Sequence, residues 1–143
     1  MKRRKGLPGK IDILFSLCLR ESRNWTCEYT GEYFPPDRRH GLHCSHLYGR
    51  RHAATRWLPD NCFAHSAYAH RYLGENPVIF AVWAREQLGD TLMDMVAARH
   101  NQIARYREKD YRGMLEHYQA EYDRMLQQRV DGETGVLQLT AYD

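Results

Sequence analysis

At 143 residues and 17.0 kDa, with 43% apolar and 27% charged side chains, the chain has enough material for one domain with its own core and too much apolar content for a disordered protein. Its net charge of +3 is unevenly placed: residues 1–60 carry 12 Lys/Arg against 6 Asp/Glu, and residues 61–143 carry 9 against 12. A basic front half favours an anionic partner, nucleic acid before others, and the longest unbroken apolar run, 78–84, falls far short of the roughly 20 residues that a membrane helix needs.

Residues 1–9 (MKRRKGLPG) read as a basic arm suited to phosphate contact. The start imitates a signal peptide only faintly, because Asp12 interrupts the apolar stretch and Arg20-Glu21 stands where a small-residue cleavage site belongs; a cytoplasmic protein is expected. Cys18, Cys27, Cys44 and Cys62 are then thiols or ligands before they are disulfides. Over 10–23, Ile11, Leu14, Phe15 and Cys18 recur at helical spacing and predict a short amphipathic helix. Residues 24–64 lack that period and carry Pro35-Pro36, Gly41, Gly49 and Pro59-Asp60, which suits loops and short strands.

After Asn61 a helix is expected to about residue 72, with 74–77 breaking it and Pro77 opening the next, which Gly89 closes. From Asp90, read as an N-cap, to about residue 129, Leu92, Val96, Ile103, Tyr111, Met114, Tyr118, Tyr122 and Met125 keep one stripe on a long helix or two consecutive ones. Gly113 and 105–110 are the places for a bend. The stripe implies core or dimer packing. The tail, 130–143, is short and offers no signal.

The chemistry concentrates in His43-Cys44-Ser45-His46, in Asn61, and in His70 nine residues further on. The segments CSHLYGRRHAATRWLPDN, CFAHSAYAHRYLGENP and FAVWAREQLG, with IDILFSLCLRESRNWTCEYTG upstream, resemble the HNH nuclease family, in particular phage recombination endonucleases of the NinG/Rap type. The resemblance covers roughly residues 11–125. It implies an α+β protein: a small ββα-metal core over 10–76 with a preceding helix, a helical extension over 77–129, and the tail.

By this resemblance His46 ends the first strand and is the general base, Asn61 begins the turn after the second strand and orients the site, and His70 lies on the helix as a metal ligand. An imidazole titrating near 6.5 can deprotonate water at neutral pH, and a cation can stabilise the phosphorane and the leaving oxygen. Many relatives carry Asp just before the base, where this chain has Ser45, which by position is the second metal-ligand candidate beside His70. Because a neutral hydroxyl is a poor ligand, Cys44, His43, a backbone carbonyl or a water could complete the site. The expected cofactor is one divalent ion, Mg²⁺ or Mn²⁺, with softer ligands shifting preference to Zn²⁺ or Ni²⁺. His65, read as lying on the same helix as His70, is expected at the surface or behind the site.

Relatives that hold structural zinc do so with two Cys-x-x-Cys pairs; the matching positions here are Cys27, Thr30, Ser66 and Ala69, so that zinc is expected to be lost. Trp25, Tyr29, Tyr33, Phe34, Phe63 and Tyr68 are expected to cluster in its place. DNA contact is assigned to Arg50, Arg51 and Arg56, extended by Lys2, Arg3, Arg4 and Lys5 and by Arg38-Arg39, with an internal ion pair as the alternative role of Arg56. The expected function is a metal-dependent DNA endonuclease, directed at branched or single-strand-containing DNA and able to dimerise through its C-terminal helices. The alternatives are a catalytically weak DNA-binding or packaging-accessory protein on the same scaffold, and a structural zinc module using Cys27, Cys44 or Cys62 with histidines.

Overall fold

The computed structural model describes residues 6–143, so the basic cluster Lys2, Arg3, Arg4 and Lys5 lies outside the described residues. Helix α1, Leu7–Ser22, starts with Pro8 in its first turn and buries Ile11, Phe15, Cys18 and Leu19 along one face. It stops at a tight turn in which Asn24 and Trp25 both take left-handed backbone angles, φ 56° and 52°. For Trp25 this is a strained conformation, and the ring is held by the Arg20 and Arg39 guanidiniums, 4.8 and 4.3 Å from its centroid, and by its indole N–H donating to Glu21.

Strands β1, Leu42–His46, and β2, Cys62–Ser66, pair antiparallel, with Leu42 opposite Ser66 and His46 opposite Cys62. The segment between them carries the short helix α2, Ala53–Arg56. Helix α3, Ala67–Glu75, follows β2 directly, capped by Ser66, whose hydroxyl accepts from the Ala69 N–H at 3.2 Å. Then come α4, Pro77–Leu88, α5, Asp90–His100, and α6, Glu108–Val130. The class is α+β. No helix is long and apolar enough to cross a membrane among the described residues.

Several sequence expectations change here. Asn61 precedes the second strand, and the helix expected from Asn61 begins only at Ala67. All five β2 residues are buried, so the strand has no polar face and shows no alternation to tell it from a helix. The stripe after Gly89 belongs to two consecutive helices, one of the two forms expected, and the break at 101–107 overlaps the expected 105–110; Gly113, the other expected place, lies inside α6. Ile103, in the break, is 89% exposed and leaves the stripe. Asp90 is not the N-cap, since Gly89 with φ 82° fills that position and Asp90 pairs with Arg85 at 3.0 Å instead.

Helix α6 packs along α1. Phe15 meets Tyr118 edge-on at 5.1 Å, the Cys18 thiol donates to the Tyr118 carbonyl at 3.2 Å, and buried Glu21 pairs with Arg129 at 3.1 Å. The tail is part of this core. Leu137 and Leu139 are buried, the Leu137 N–H donates to the Ser22 carbonyl at 2.7 Å, and the Tyr142 N–H donates to the Tyr118 hydroxyl at 3.2 Å. Gly113 is explained by the same docking: a Cβ at that position would stand 2.6 Å from the Tyr142 hydroxyl.

Trp25, Phe34 and Cys27 form one cluster beneath the hairpin, Phe63 packs with Phe80 in another, and Tyr29 touches both. Tyr33 and Tyr68 are 50% and 65% exposed and fall outside the expected aromatic cluster. His65 is on β2, not on a helix or at the surface: it is fully buried beside Phe63, Phe80 and Trp83, and neither ring nitrogen has a hydrogen-bond partner among the described residues.

Candidate active site

A cleft of about 490 Å³ opens between α1, β1 and the loop after β1, and Asp12, Arg20, His43, Cys44, His46, Arg50 and His70 line it. The His46 ring lies in the wall of this cleft. Its Nε2 lies 2.9 Å from the Arg56 carbonyl oxygen. A carbonyl only accepts, so Nε2 carries the proton and the Nδ1 lone pair is free. Burial pushes the ring down to about 4, with the Arg56 hydrogen bond opposing that shift and Arg50 reinforcing it. His46 is therefore a neutral imidazole at physiological pH, with one nitrogen available to take a proton or a metal.

The position of Arg56 is itself fixed. Its guanidinium makes two bonds to Asp12, at 2.9 and 2.6 Å, and the Trp57 indole donates to the same carboxylate at 3.0 Å. Arg56 thus takes the internal ion-pair role. Asp12, which the sequence reading treated only as an interruption of an apolar stretch, ties α1 to the residue whose carbonyl orients His46. Asp12, Ser16 and Arg20 all line the cleft from α1, and their four-residue spacing is the signal that could have found it. Arg20 spends its guanidinium on the carbonyls of Arg39 and Leu42, at 3.3 and 3.2 Å.

Asn61 is fully buried and acts through the loop. Its Oδ1 accepts from the Tyr48 N–H at 2.9 Å, while its Nδ2 donates to the carbonyls of Tyr48 and Thr55 at 3.0 and 2.9 Å. These bonds close the segment that carries Arg50 and Arg51. It does not line the cleft.

His70 projects from α3 and meets His43, the two Nδ1 atoms 3.0 Å apart. Burial lowers both rings, and their mutual repulsion as cations lowers His70 further; Arg20 acts likewise on His43. At this distance one neutral imidazole donates its Nδ1–H to the other; with that proton moved to the donor's Nε2, the two nitrogens lie close to the nitrogen–nitrogen edge of a tetrahedral site, about 3.3 Å for metal–nitrogen bonds near 2.05 Å. The donor chemistry fits a divalent ion of intermediate softness. Ser45, the expected partner ligand, is 1% exposed and absent from the cleft wall; His43, two residues back on the same strand, is the residue that meets His70.

A second donor group sits on the hairpin itself. Cys44, His46 and Cys62 place ligand atoms within 4.8 Å of one another and could hold a metal ion. In the sequence, Cys62 stands out only as one of four thiols or ligands and in the zinc-module alternative. On the far side of the hairpin, Cys27 and Ser66 approach to 3.7 Å between Sγ and Oγ, and the N–H of Thr30 donates to Cys27 Sγ at 3.4 Å as that of Ala69 does to Ser66. Burial raises the Cys27 thiol, but the hydrogen bonds from Thr30 and Ser66 outweigh it and leave the thiol below its ordinary value.

Arg50 and Arg51 are both exposed; Arg50 lines the cleft, within 3.8 Å of Asp12, and Arg51 beside it donates to His52 at 3.2 Å. No protein-family model, curated protein or solved structure matches this chain.

Proposed function

We propose that the chain is a metal-dependent DNA endonuclease of the ββα-metal (HNH) type. The observation that carries this reading is the His46 tautomer: Nε2–H is committed to the Arg56 carbonyl, which leaves a neutral Nδ1 in a cleft that also holds a facing histidine pair and the exposed Arg50. Two further features support it. The order strand, loop, strand, helix puts His46 at the end of β1 and His70 on the helix after β2. Cys27, Thr30, Ser66 and Ala69 also pair through the same i to i+3 hydrogen bonds on both sides, as two Cys-x-x-Cys knuckles would around zinc.

In this mechanism His46 takes a proton from the attacking water through Nδ1, and the Arg56 carbonyl supports the imidazolium that forms. Asp12 holds Arg56 in place. His70 and His43 would hold a divalent ion, which when bound supplies positive charge against the scissile phosphate and the leaving 3′-oxygen. Arg50 and Arg51 contact flanking phosphates, and Asn61 keeps their loop closed over the cleft. With no helix presented as a groove reader in this scheme, selectivity for branched or single-strand-containing DNA rests on shape and deformability.

The test is cleavage of labelled duplex, single-stranded, flap and four-way-junction DNA with Mg²⁺, Mn²⁺, Ni²⁺ or Zn²⁺, comparing the parent with His46→Ala and His70→Ala. Cutting by the parent, with both variants binding DNA but not cutting, is the expected result. DNA bound but never cut with any metal would establish the accessory-protein reading instead.

A further inference from the structure

Cys44, His46 and Cys62 form a site that the hydrolytic mechanism leaves largely unused. Cys62 is fully buried and stands opposite His46 in the β ladder, while Cys44 lies on the same face two residues before His46. All three therefore project to the α1 side of the hairpin, with Cys44 and His46 reaching the cleft. Their ligand atoms, within 4.8 Å of one another, need about 1 Å of closure to match the sulfur–sulfur edge of a tetrahedral site, about 3.8 Å for metal–sulfur bonds of 2.3 Å. Side-chain rotation covers that difference. The ring nitrogen of His46 not committed to a ligand already donates to a backbone carbonyl, the arrangement that orients metal-bound histidines in general.

We propose that Cys44, His46 and Cys62 bind one thiophilic divalent ion, Zn²⁺ or a close analogue, through two thiolates and His46 Nδ1, and that its occupation silences the cleft by consuming the lone pair of the general base. The silencing half rests on the nuclease reading; the binding half does not. Two soft sulfurs and an imidazole select against Mg²⁺ and favour a softer ion than the imidazole pair His43 and His70 does. On binding, each S–H bond is exchanged for a metal–sulfur bond and the proton goes to the buffer. Because each thiol gives up its proton on binding, binding tightens as pH rises. Three protein ligands leave a fourth position for a water.

The experiment uses the full chain, freed of metal, titrated with Co²⁺ as a coloured probe and then with Zn²⁺ as competitor. Expected are one equivalent of Co²⁺ bound with thiolate-to-metal charge-transfer absorption, its displacement by Zn²⁺, and a metal-induced shift of the His46 Nδ1 ¹⁵N resonance. Cys44→Ser and Cys62→Ser should each weaken the absorption several-fold, while His43→Ala leaves it in place; the half-exposed position of Cys44 guards against a failure of Cys62→Ser to fold. Absence of thiolate absorption in the parent, or its persistence in both cysteine variants, would overturn the site. For the silencing, the ratio of Mg²⁺-supported cleavage without and with one equivalent of Zn²⁺ should be at least tenfold in the parent and near one in Cys44→Ser; equal ratios would overturn it. If the absorption appears and the parent cuts no DNA with any metal, the nuclease reading fails while the metal site stands.

Discussion

His46 and His65 are both histidines held neutral by burial, but one has a free lone pair facing a cleft and the other has nothing to bond. For His46, the fall to about 4 means the base form is already populated across the physiological range. On the proposed nuclease reading, the rate of cleavage should therefore rise with pH through about 4 and be flat through 6.5, as read from a pH profile of kcat/KM on labelled DNA; an inflection at 6.5 would mean that the proposed base is a solvated histidine elsewhere. The stability consequence has a definite sign. Burial lowers His65 to about 3, with repulsion from His70 adding to it, whereas in the unfolded chain it takes up a proton near 6.5. Between those limits the unfolded state binds more protons, so stability is complete above about 6.5 and falls on acidification toward pH 4, by roughly 1.4 kcal/mol per pH unit for this ring. His65→Phe keeps a ring between Phe63, Phe80 and Trp83 and removes two unpaired polar atoms. It should raise the urea midpoint more at pH 5 than at pH 8; an equal gain at both would show that the ring is not the titrating group.

At the scale of elements, the α1–α6 seam and the docked tail decide stability. Arg129→Ala leaves Glu21, 5% exposed in its side chain, without its cation, and the cost should be about 3 kcal/mol in chemical denaturation. Gly113→Ala tests the tail. An exposed helix interior normally gains about 1 kcal/mol from this change, but here the new Cβ meets the Tyr142 ring, so the single variant should gain nothing. In a Tyr142→Ala background the same substitution should recover that gain, and a double-mutant cycle with no coupling would sever the link. These elements also show how far the sequence could be read. Met114, Tyr118 and Met125 announced the buried face of α6 because helical spacing repeats over many residues, and the β1 end at His46 and the helical place of His70 follow the resemblance. Strand β2 was illegible because both its faces are covered. The tail was illegible because Leu137 and Leu139 are only two anchors, too few to show a period. His43 was visible only as one ligand among several, since its meeting with His70 depends on how α3 lies across the hairpin.

At the scale of the whole molecule, the basic front half divides into cations that hold the fold and cations that face solvent. Arg56 belongs to the first group: its side chain is 11% exposed and bonded twice to an Asp12 carboxylate that is 12% exposed. Arg20 belongs there too, spent on backbone carbonyls. Arg50 and Arg51 are exposed, where a polyanion can reach them. Each phosphate neutralised releases counterions, so the slope of log Kd against log salt counts the cations that engage DNA. Arg50→Ala combined with Arg51→Ala should weaken binding uniformly across DNA sequences, lower that slope by about 2, and leave the denaturation midpoint nearly unchanged. Arg56→Ala should do the reverse: it strands a mostly buried carboxylate, lowers stability by about 3 kcal/mol, and leaves the slope alone wherever the protein is still folded. Cleavage should nevertheless fall in Arg56→Ala, because the carbonyl that fixes the His46 tautomer rides on that residue. Salt titrations of binding beside urea unfolding of the same variants separate the two groups, and a slope that drops by about 1 in Arg56→Ala without loss of stability would move Arg56 from the scaffold to the DNA surface.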